Sequence, residues 1–123
     1  MRRGNKTAEL EKTFDIEEDA LKLYLDDRRE APAEDFKSAD DYADFLALLD
    51  RYRDCLELVD LDYDLGRDSF FTGMDALRYM KKHGMSPSRI NIHSTHVSGR
   101  DRMIRYAEVN FPDALVTGRE SIF

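Results

Sequence analysis

Length, composition and charge limit this chain to a small domain. It has 123 residues, of which 37% are charged and 41% are hydrophobic, and its formal net charge is -7 at pH 7. No apolar run approaches the ~18 residues that a membrane helix needs, and the charged first residues lack the apolar core of a signal peptide. The single cysteine, Cys55, cannot form an internal disulfide. We therefore expect one cytoplasmic domain with no membrane partner.

The distribution of charge divides the chain into three parts. Residues 1–20 mix acids and bases with little periodicity, and we expect a tail there, flexible or helical, before a domain at residues 21–123. Within the domain, residues 21–64 carry a formal charge of -8 and residues 65–123 carry +3. A general nucleic-acid-binding protein needs a basic face, so no general nucleic-acid binding is expected, although the basic half can hold one phosphate group.

Strand and helix patterns alternate from residue 21 onward. A strand is predicted at Leu21–Leu25, and Pro32 interrupts the chain after it. An amphipathic helix is predicted from Ser38, which has the spacing of a capping box with Asp41. Further strands are predicted at Leu56–Asp62, Arg89–His93 and Ala114–Thr117, and further helices at the capping boxes of Thr72 with Asp75 and of Ser98 with Asp101. This alternation is typical of an α/β fold with a mostly parallel sheet.

Polar side chains stand at the carboxyl ends of three predicted strands, the edge where open parallel sheets bind their ligands. The groups placed there are Asp26 and Asp27, then Asp62 and Asp64, then His93, Ser94 and His96. Because converging carboxylates repel one another, a cation such as Mg²⁺ (or Mn²⁺) is expected among the four acids. Each acid alone also suits a turn or a helix cap, and that alternative stays open.

The start of the last predicted helix offers an anion site. Arg100 lies there beside Ser98 and Gly99, where free backbone amides and the helix dipole attract negative charge. A solvated surface arginine is the alternative interpretation. His93 is expected either in the core or as an acid–base group, and His96 lies in the loop before the helix.

Four motifs occur in order along roughly residues 21–111. They are Leu25-Asp26-Asp27, Leu61-Asp62-Tyr63-Asp64-Leu65-Gly66, Thr72-Gly73, and His93-Ser94-Thr95-His96-Val97-Ser98-Gly99-Arg100 with Met103. Their order and placement resemble the cyclic-phosphate-processing receiver-like family, a divergent branch of the receiver domains of two-component signalling. The resemblance implies a receiver-like (flavodoxin-like) three-layer sandwich in which the first receiver helix is reduced or lost.

The resemblance also implies a function, which is Mg²⁺-dependent hydrolysis of a cyclic phosphate on a nucleotide, an RNA end or an ADP-ribose derivative. The implied catalytic residues are His93, Asp62 and Arg100. The implied metal ligands are Asp26, Asp27, Asp62 and Asp64, and the implied phosphate contacts are Thr72, Ser94, His96, Ser98, Gly99 and Arg100. The expected partner is a small phosphate-bearing ligand, and a homo-oligomer or a protein partner stays open.

Two positions depart from the family pattern. Tyr63 stands where the family has a histidine between two acids, and His96 stands where an asparagine is usual. If the missing imidazole is an acid–base group, either activity is impaired or His96 replaces it. Two alternatives therefore remain, a non-catalytic binding or regulatory module and a phospho-accepting receiver with Asp62 as acceptor. The lack of a lysine near the last strand end disfavours ordinary receiver signalling, because that lysine stabilises the acyl-phosphate charge.

Overall fold

The computed structural model describes residues 21–120, and the predicted tail at residues 1–20 lies outside this range. The strands are β1 (Leu21–Leu25), β2 (Phe36–Ala39), β3 (Leu56–Leu61), β4 (Arg89–Ser94) and β5 (Leu115–Glu120). The helices are α1 (Tyr42–Tyr52), α2 (Gly73–Lys82) and α3 (Val97–Asn110). All strand pairs are parallel, and the order across the sheet is β2-β1-β3-β4-β5. The fold is thus the receiver-like α/β class that the sequence predicts.

All three helices lie on one face of the sheet. The connections through α1, α2 and α3 cross the sheet in the same direction, and right-handed crossovers in one direction place their helices on one face. The β1–β2 connection runs the other way, so a helix in it would cover the opposite face, but residues 26–35 contain no helix. The first receiver helix is therefore lost, as the resemblance implied. The described residues therefore form two layers, the sheet and the helices on one of its faces.

The two faces of the sheet differ in polarity because side chains alternate along each strand. The face under the helices is apolar, and the strand side chains buried there are Leu23, Leu25, Val59, Leu61, Ile90 and Ile92. The opposite face carries Tyr24, Asp60 and His93, which are nevertheless almost completely buried. Within the described residues, no helix is both long and apolar enough to cross a bilayer.

Two predicted helix starts are wrong. Ser38 does not cap α1, because Phe36–Ala39 pairs with β1 as an edge strand. The helix begins after Asp41, whose carboxylate accepts a hydrogen bond from the Asp44 amide at 2.8 Å. Ser98 does not cap α3, since the imidazole of His96 takes this role two residues earlier. The capping box at Thr72 is confirmed. The helix that it begins, α2, ends before Gly84, whose φ is +69°.

Candidate active site

A buried histidine lies between two carboxylates at the carboxyl end of the sheet. His93 Nδ1 is 2.6 Å from Asp60 Oδ1, and His93 Nε2 is 2.9 Å from Asp26 Oδ2. The imidazole ring stacks on Tyr24 with a centroid distance of 4.8 Å, and only 1% of the residue is exposed. Because each ring nitrogen faces a carboxylate oxygen, the arrangement favours an imidazolium that donates a proton in both directions.

The charges in this chain of groups support one another. Burial alone would lower the pKa of His93, but its hydrogen bonds to Asp26 and Asp60 outweigh that effect and raise the pKa. Burial would raise the pKa of Asp26, but hydrogen bonds from His93 and from the backbone amides of Arg28 and Arg29 hold it well below its usual range. Asp26 is therefore held as a carboxylate, and the two carboxylates favour the protonated form of His93.

The hydrogen-bonding capacity of Asp26 is fully used. Its Oδ1 accepts from the amides of Arg28 at 2.8 Å and Arg29 at 3.0 Å. Its Oδ2 accepts from His93, from Arg29 Nη1 at 2.7 Å and from the Tyr24 hydroxyl at 3.4 Å. With five donors on two oxygens, Asp26 organises the loop and the histidine, and it offers no lone pair to a metal ion in this arrangement.

The negative charge of Asp62 is only partly balanced by nearby positive groups. It is 2% exposed and accepts hydrogen bonds from the Asp64 amide at 3.3 Å and from the Ser94 hydroxyl. Arg29 Nη1 lies 3.3 Å from its Oδ2, longer than the contact of the same nitrogen with Asp26. Burial and the negative charge of Asp26 raise the pKa of Asp62.

The other two predicted metal ligands have different surroundings. Asp27 Oδ1 is buried and has no hydrogen-bond partner within the described part of the chain. Its Oδ2 faces Gly66, where an added Cβ would approach to 2.9 Å and where the φ of +104° also favours glycine. Asp64 is exposed, and its Oδ1 accepts from the Gly66 amide at 3.0 Å. The structure thus brings Asp26 and Asp62 together and leaves Asp64 in the loop.

The residue chemistry around Asp62 fits a hard divalent cation. Ligand atoms of Asp26, Asp62 and His93 lie within 4.8 Å of one another, the distance range of a metal site. However, both nitrogens of His93 are occupied by carboxylates and Asp26 is saturated. The oxygens that remain belong to Asp62 and to the unpartnered Asp27, and Mg²⁺ prefers one or two carboxylates completed by water and phosphate oxygens.

The N-terminus of α3 begins directly beside this cluster. Ser94, which contacts Asp62, also accepts a hydrogen bond from the His96 amide at 3.0 Å. His96 Nδ1 accepts from the Gly99 amide at 3.0 Å, so the Nε2 side of its exposed ring is left for a ligand. Of the first-turn amides, that of Gly99 is therefore taken by the cap, and those of Val97 and Ser98 lack helical partners by geometry.

The remaining predicted phosphate contacts lie nearby without touching the acids. Arg100 has 17% of its side chain exposed, and its Nε is 3.6 Å from Asp101. Thr72 is the N-cap of α2, with its amide donating to Asp75 at 2.8 Å. Both therefore stand at helix N-termini on the sheet edge, as the sequence predicts, and neither contacts Asp62 within the described residues.

The two departures from the family pattern are in contact with each other. The rings of Tyr63 and His96 lie 4.6 Å apart, and Gly99 packs so closely on Tyr63 that a Cβ there would come within 2.5 Å of the ring. Arg102 donates to the Tyr63 hydroxyl at 3.1 Å. Tyr63 thus packs against the α3 N-terminus. The exposed imidazole beside it belongs to His96, whereas the family has its histidine at the position of Tyr63.

Sequence reasoning missed Asp60 and Arg29. Asp60 carried a usable signal, because it lies on the buried strand β3 two positions before Asp62, and side chains two positions apart point to the same side. Its partner on β4 is Asn91, two positions before His93, so Asp60 and His93 also share a face of the sheet. Arg29 carried none, because its position depends on the conformation of the β1–β2 loop, which periodicity does not describe.

Parallel β-strands with helices on one face, acids after β1 and β3, and a hydroxyl at the end of β4 define a receiver-like α/β domain. A family model described as the cyclic-phosphate processing receiver domain matches residues 21–109, and the chain belongs to that family. Searches among curated proteins and among solved structures give no match.

Proposed function

We propose that the protein hydrolyses a cyclic phosphate ester with the help of a divalent cation, Mg²⁺ or Mn²⁺. The observation that carries this proposal is the buried carboxylate of Asp62 at the sheet edge, within 4.8 Å of ligand atoms of Asp26 and His93. Asp27 adds a buried Oδ1 that has no hydrogen-bond partner among the described residues. Family membership supports the same substrate class, which is a cyclic phosphate on a nucleotide, an RNA end or an ADP-ribose derivative.

In this proposal, water attacks the phosphorus atom, one ring P–O bond breaks, and the products are a phosphate monoester and a hydroxyl group. A divalent cation held by Asp27 and Asp62 would stabilise the negative charge that develops on the phosphoryl oxygens. Asp62 takes the proton of the attacking water, and that proton passes to the leaving oxygen of the ring.

The start of α3 binds the substrate phosphate in this proposal. The amides of Val97 and Ser98 point toward an anion, Arg100 adds positive charge, and His96 donates from Nε2. His93 is too enclosed to touch a substrate atom, so we assign it the role of a positioning residue that holds Asp26 and, through Asp26, the β1–β2 loop.

The test is incubation of the protein and Mg²⁺ with 2',3'-cyclic nucleotides, 3',5'-cyclic nucleotides and cyclic-phosphorylated ADP-ribose, followed by ³¹P NMR. We expect conversion of at least one substrate to its ring-opened monoester. Asp62→Asn should lower the rate by about 10²-fold or more, because it removes the base, whereas Asp64→Asn changes an exposed acid and should retain activity. No conversion by the folded protein, or equal activity of the two variants, would contradict the proposal.

A second candidate is a binding module without turnover. The saturation of Asp26 and the enclosure of His93 favour it, because both groups are held in a fixed arrangement rather than presented to a ligand. This candidate predicts saturable binding of a cyclic phosphate by calorimetry, with the ligand unchanged in the ³¹P spectrum after long incubation.

A further inference from the structure

One arginine already occupies the space between the two buried acids. Arg29 Nη1 lies 2.7 Å from Asp26 Oδ2 and 3.3 Å from Asp62 Oδ2, and 17% of the side chain is exposed. Asp62 Oδ2 is also the oxygen on which a cation at the sheet edge would act. A guanidinium in this place supplies positive charge without any metal ion.

The contacts of Arg29 with the two acids are unequal. The shorter one, to Asp26, is reinforced by the Arg29 amide, which donates to Asp26 Oδ1 at 3.0 Å. The contact of the same nitrogen with Asp62 is longer, at 3.3 Å, and no backbone amide of Arg29 reinforces it. Arg29 is thus anchored by Asp26 and neutralises Asp62 only in part.

The guanidinium also has a second place to go. Arg29 lines a cavity of about 670 Å³, which lies between the β1–β2 loop, β2 and the start of α1. The cavity wall includes the carboxylates of Glu30, Glu34 and Asp40, and Arg29 is the basic residue among the side chains that line it. A side-chain rotation away from Asp62 therefore meets open space and opposite charge.

We infer that Arg29 is the internal counter-cation of Asp62, and that a divalent cation binding at Asp62 displaces its guanidinium toward the cavity. This inference rests on the cation requirement of the proposed function. Two positive charges at contact distance from Asp62 Oδ2 repel each other strongly in a buried site. Arg29 therefore lowers the affinity of the site for the cation, so the site fills only when the cation is abundant.

The test compares Mn²⁺ affinity in Arg29→Gln and Arg28→Gln by electron paramagnetic resonance titration of free Mn²⁺, without substrate. Arg28 is the matched control, because it is an exposed neighbour whose amide also donates to Asp26 Oδ1. We expect Arg29→Gln to bind Mn²⁺ about tenfold more tightly than wild type, and Arg28→Gln and Arg29→Lys to stay within about twofold, since lysine keeps the charge.

A measurement on the unaltered protein covers the case in which Arg29→Gln does not fold. Titration with Mg²⁺ should shift the Nε–H signal of Arg29 in a ¹H–¹⁵N spectrum and leave that of Arg28 in place. Unchanged or weaker Mn²⁺ binding by folded Arg29→Gln, or an unmoved Arg29 signal at saturating Mg²⁺, overturns the inference. If neither wild type nor variant binds Mn²⁺, the cation requirement of the proposed function fails as well, so the two failures are distinguishable.

Discussion

At the scale of single residues, the site is organised by charge pairing inside the protein. The imidazolium of His93 is flanked by Asp60 and Asp26, and Asn91 Nδ2 donates to Asp60 at 3.1 Å from the neighbouring position on β4. Thr117 on β5 in turn donates to Asn91 Oδ1 at 2.6 Å. This network runs along the polar face of the sheet, and breaking a buried pair by removing one charge leaves the other uncompensated.

Asp60→Asn should therefore reduce stability in a pH-dependent way. The raised pKa of His93 means that the folded state binds this proton more tightly, so its stabilisation is complete below about pH 6.5, the ordinary value in an unfolded chain, and is lost as pH rises through the folded-state pKa. Without the Asp60 charge that pKa falls. We expect a loss of about 3 kcal/mol at pH 6 and a smaller one at pH 9, measured by urea unfolding.

The control for this experiment is Asp54→Asn, which changes an acid whose side chain is 96% exposed. Its free energy of unfolding should follow that of wild type at both pH values. An Asp60→Asn protein with the pH dependence of wild type would show that His93 is not charged in the folded state.

At the scale of secondary-structure elements, the first turn of α3 packs on a side chain from the loop between β3 and α2. Gly99, in the first turn of α3, packs on the ring of Tyr63, which follows β3. Two effects of an alanine at this position oppose each other. Alanine favours a helix by about 1 kcal/mol over glycine, whereas overpacking costs roughly 1–3 kcal/mol, and a Cβ at 2.5 Å from the ring makes the second effect dominate.

Gly99→Ala should thus destabilise the protein by about 1–2 kcal/mol in urea unfolding and shift the near-ultraviolet signal of its tyrosines. In a Tyr63→Ala background the overlap is gone, and the same substitution should be neutral or stabilising. Equal losses in both backgrounds would mean that Tyr63 does not set the position of α3.

At the scale of the whole molecule, the acidic half of the chain meets the basic half at one sheet edge. Residues 21–64 contribute Asp27 and Asp62, and the second half contributes the α3 N-terminus with Arg100. Parallel strand order is what joins them, because β1, β3 and β4 are neighbours whose carboxyl ends coincide. The stability of the molecule should therefore depend on whether a cation is present.

Asp27→Asn should raise stability without metal and reduce the gain from Mg²⁺. Its buried Oδ1 has no hydrogen-bond partner among the described residues, and replacing one acid relieves repulsion among the carboxylates at this edge, so we expect an increase of about 1 kcal/mol in EDTA. Thermal unfolding in EDTA and in MgCl₂ measures both effects, with Asp64→Asn as an exposed control. A loss of stability in EDTA would instead assign Asp27 a structural role.

The sequence by itself determined the element types and the edge at which the chemistry lies. Period-two runs placed β1, β3 and β4, the Thr72 box placed α2, and acids directly after strands predicted a common rim. These signals are local, so they survive without knowledge of the partners. The short edge strand β2 was missed, because Phe36–Ala39 becomes a strand only through its pairing with β1.

Only the tertiary structure decided which polar groups touch. It paired His93 with Asp60 and Asp26, left Asp64 in solvent, and placed Arg29 between two acids that are distant in sequence. It also moved the α3 cap from Ser98 to His96. Such contacts depend on strand register and on loop conformation, and both result from many weak interactions between distant parts of the chain. Periodicity and composition indicate only which side of each segment is buried.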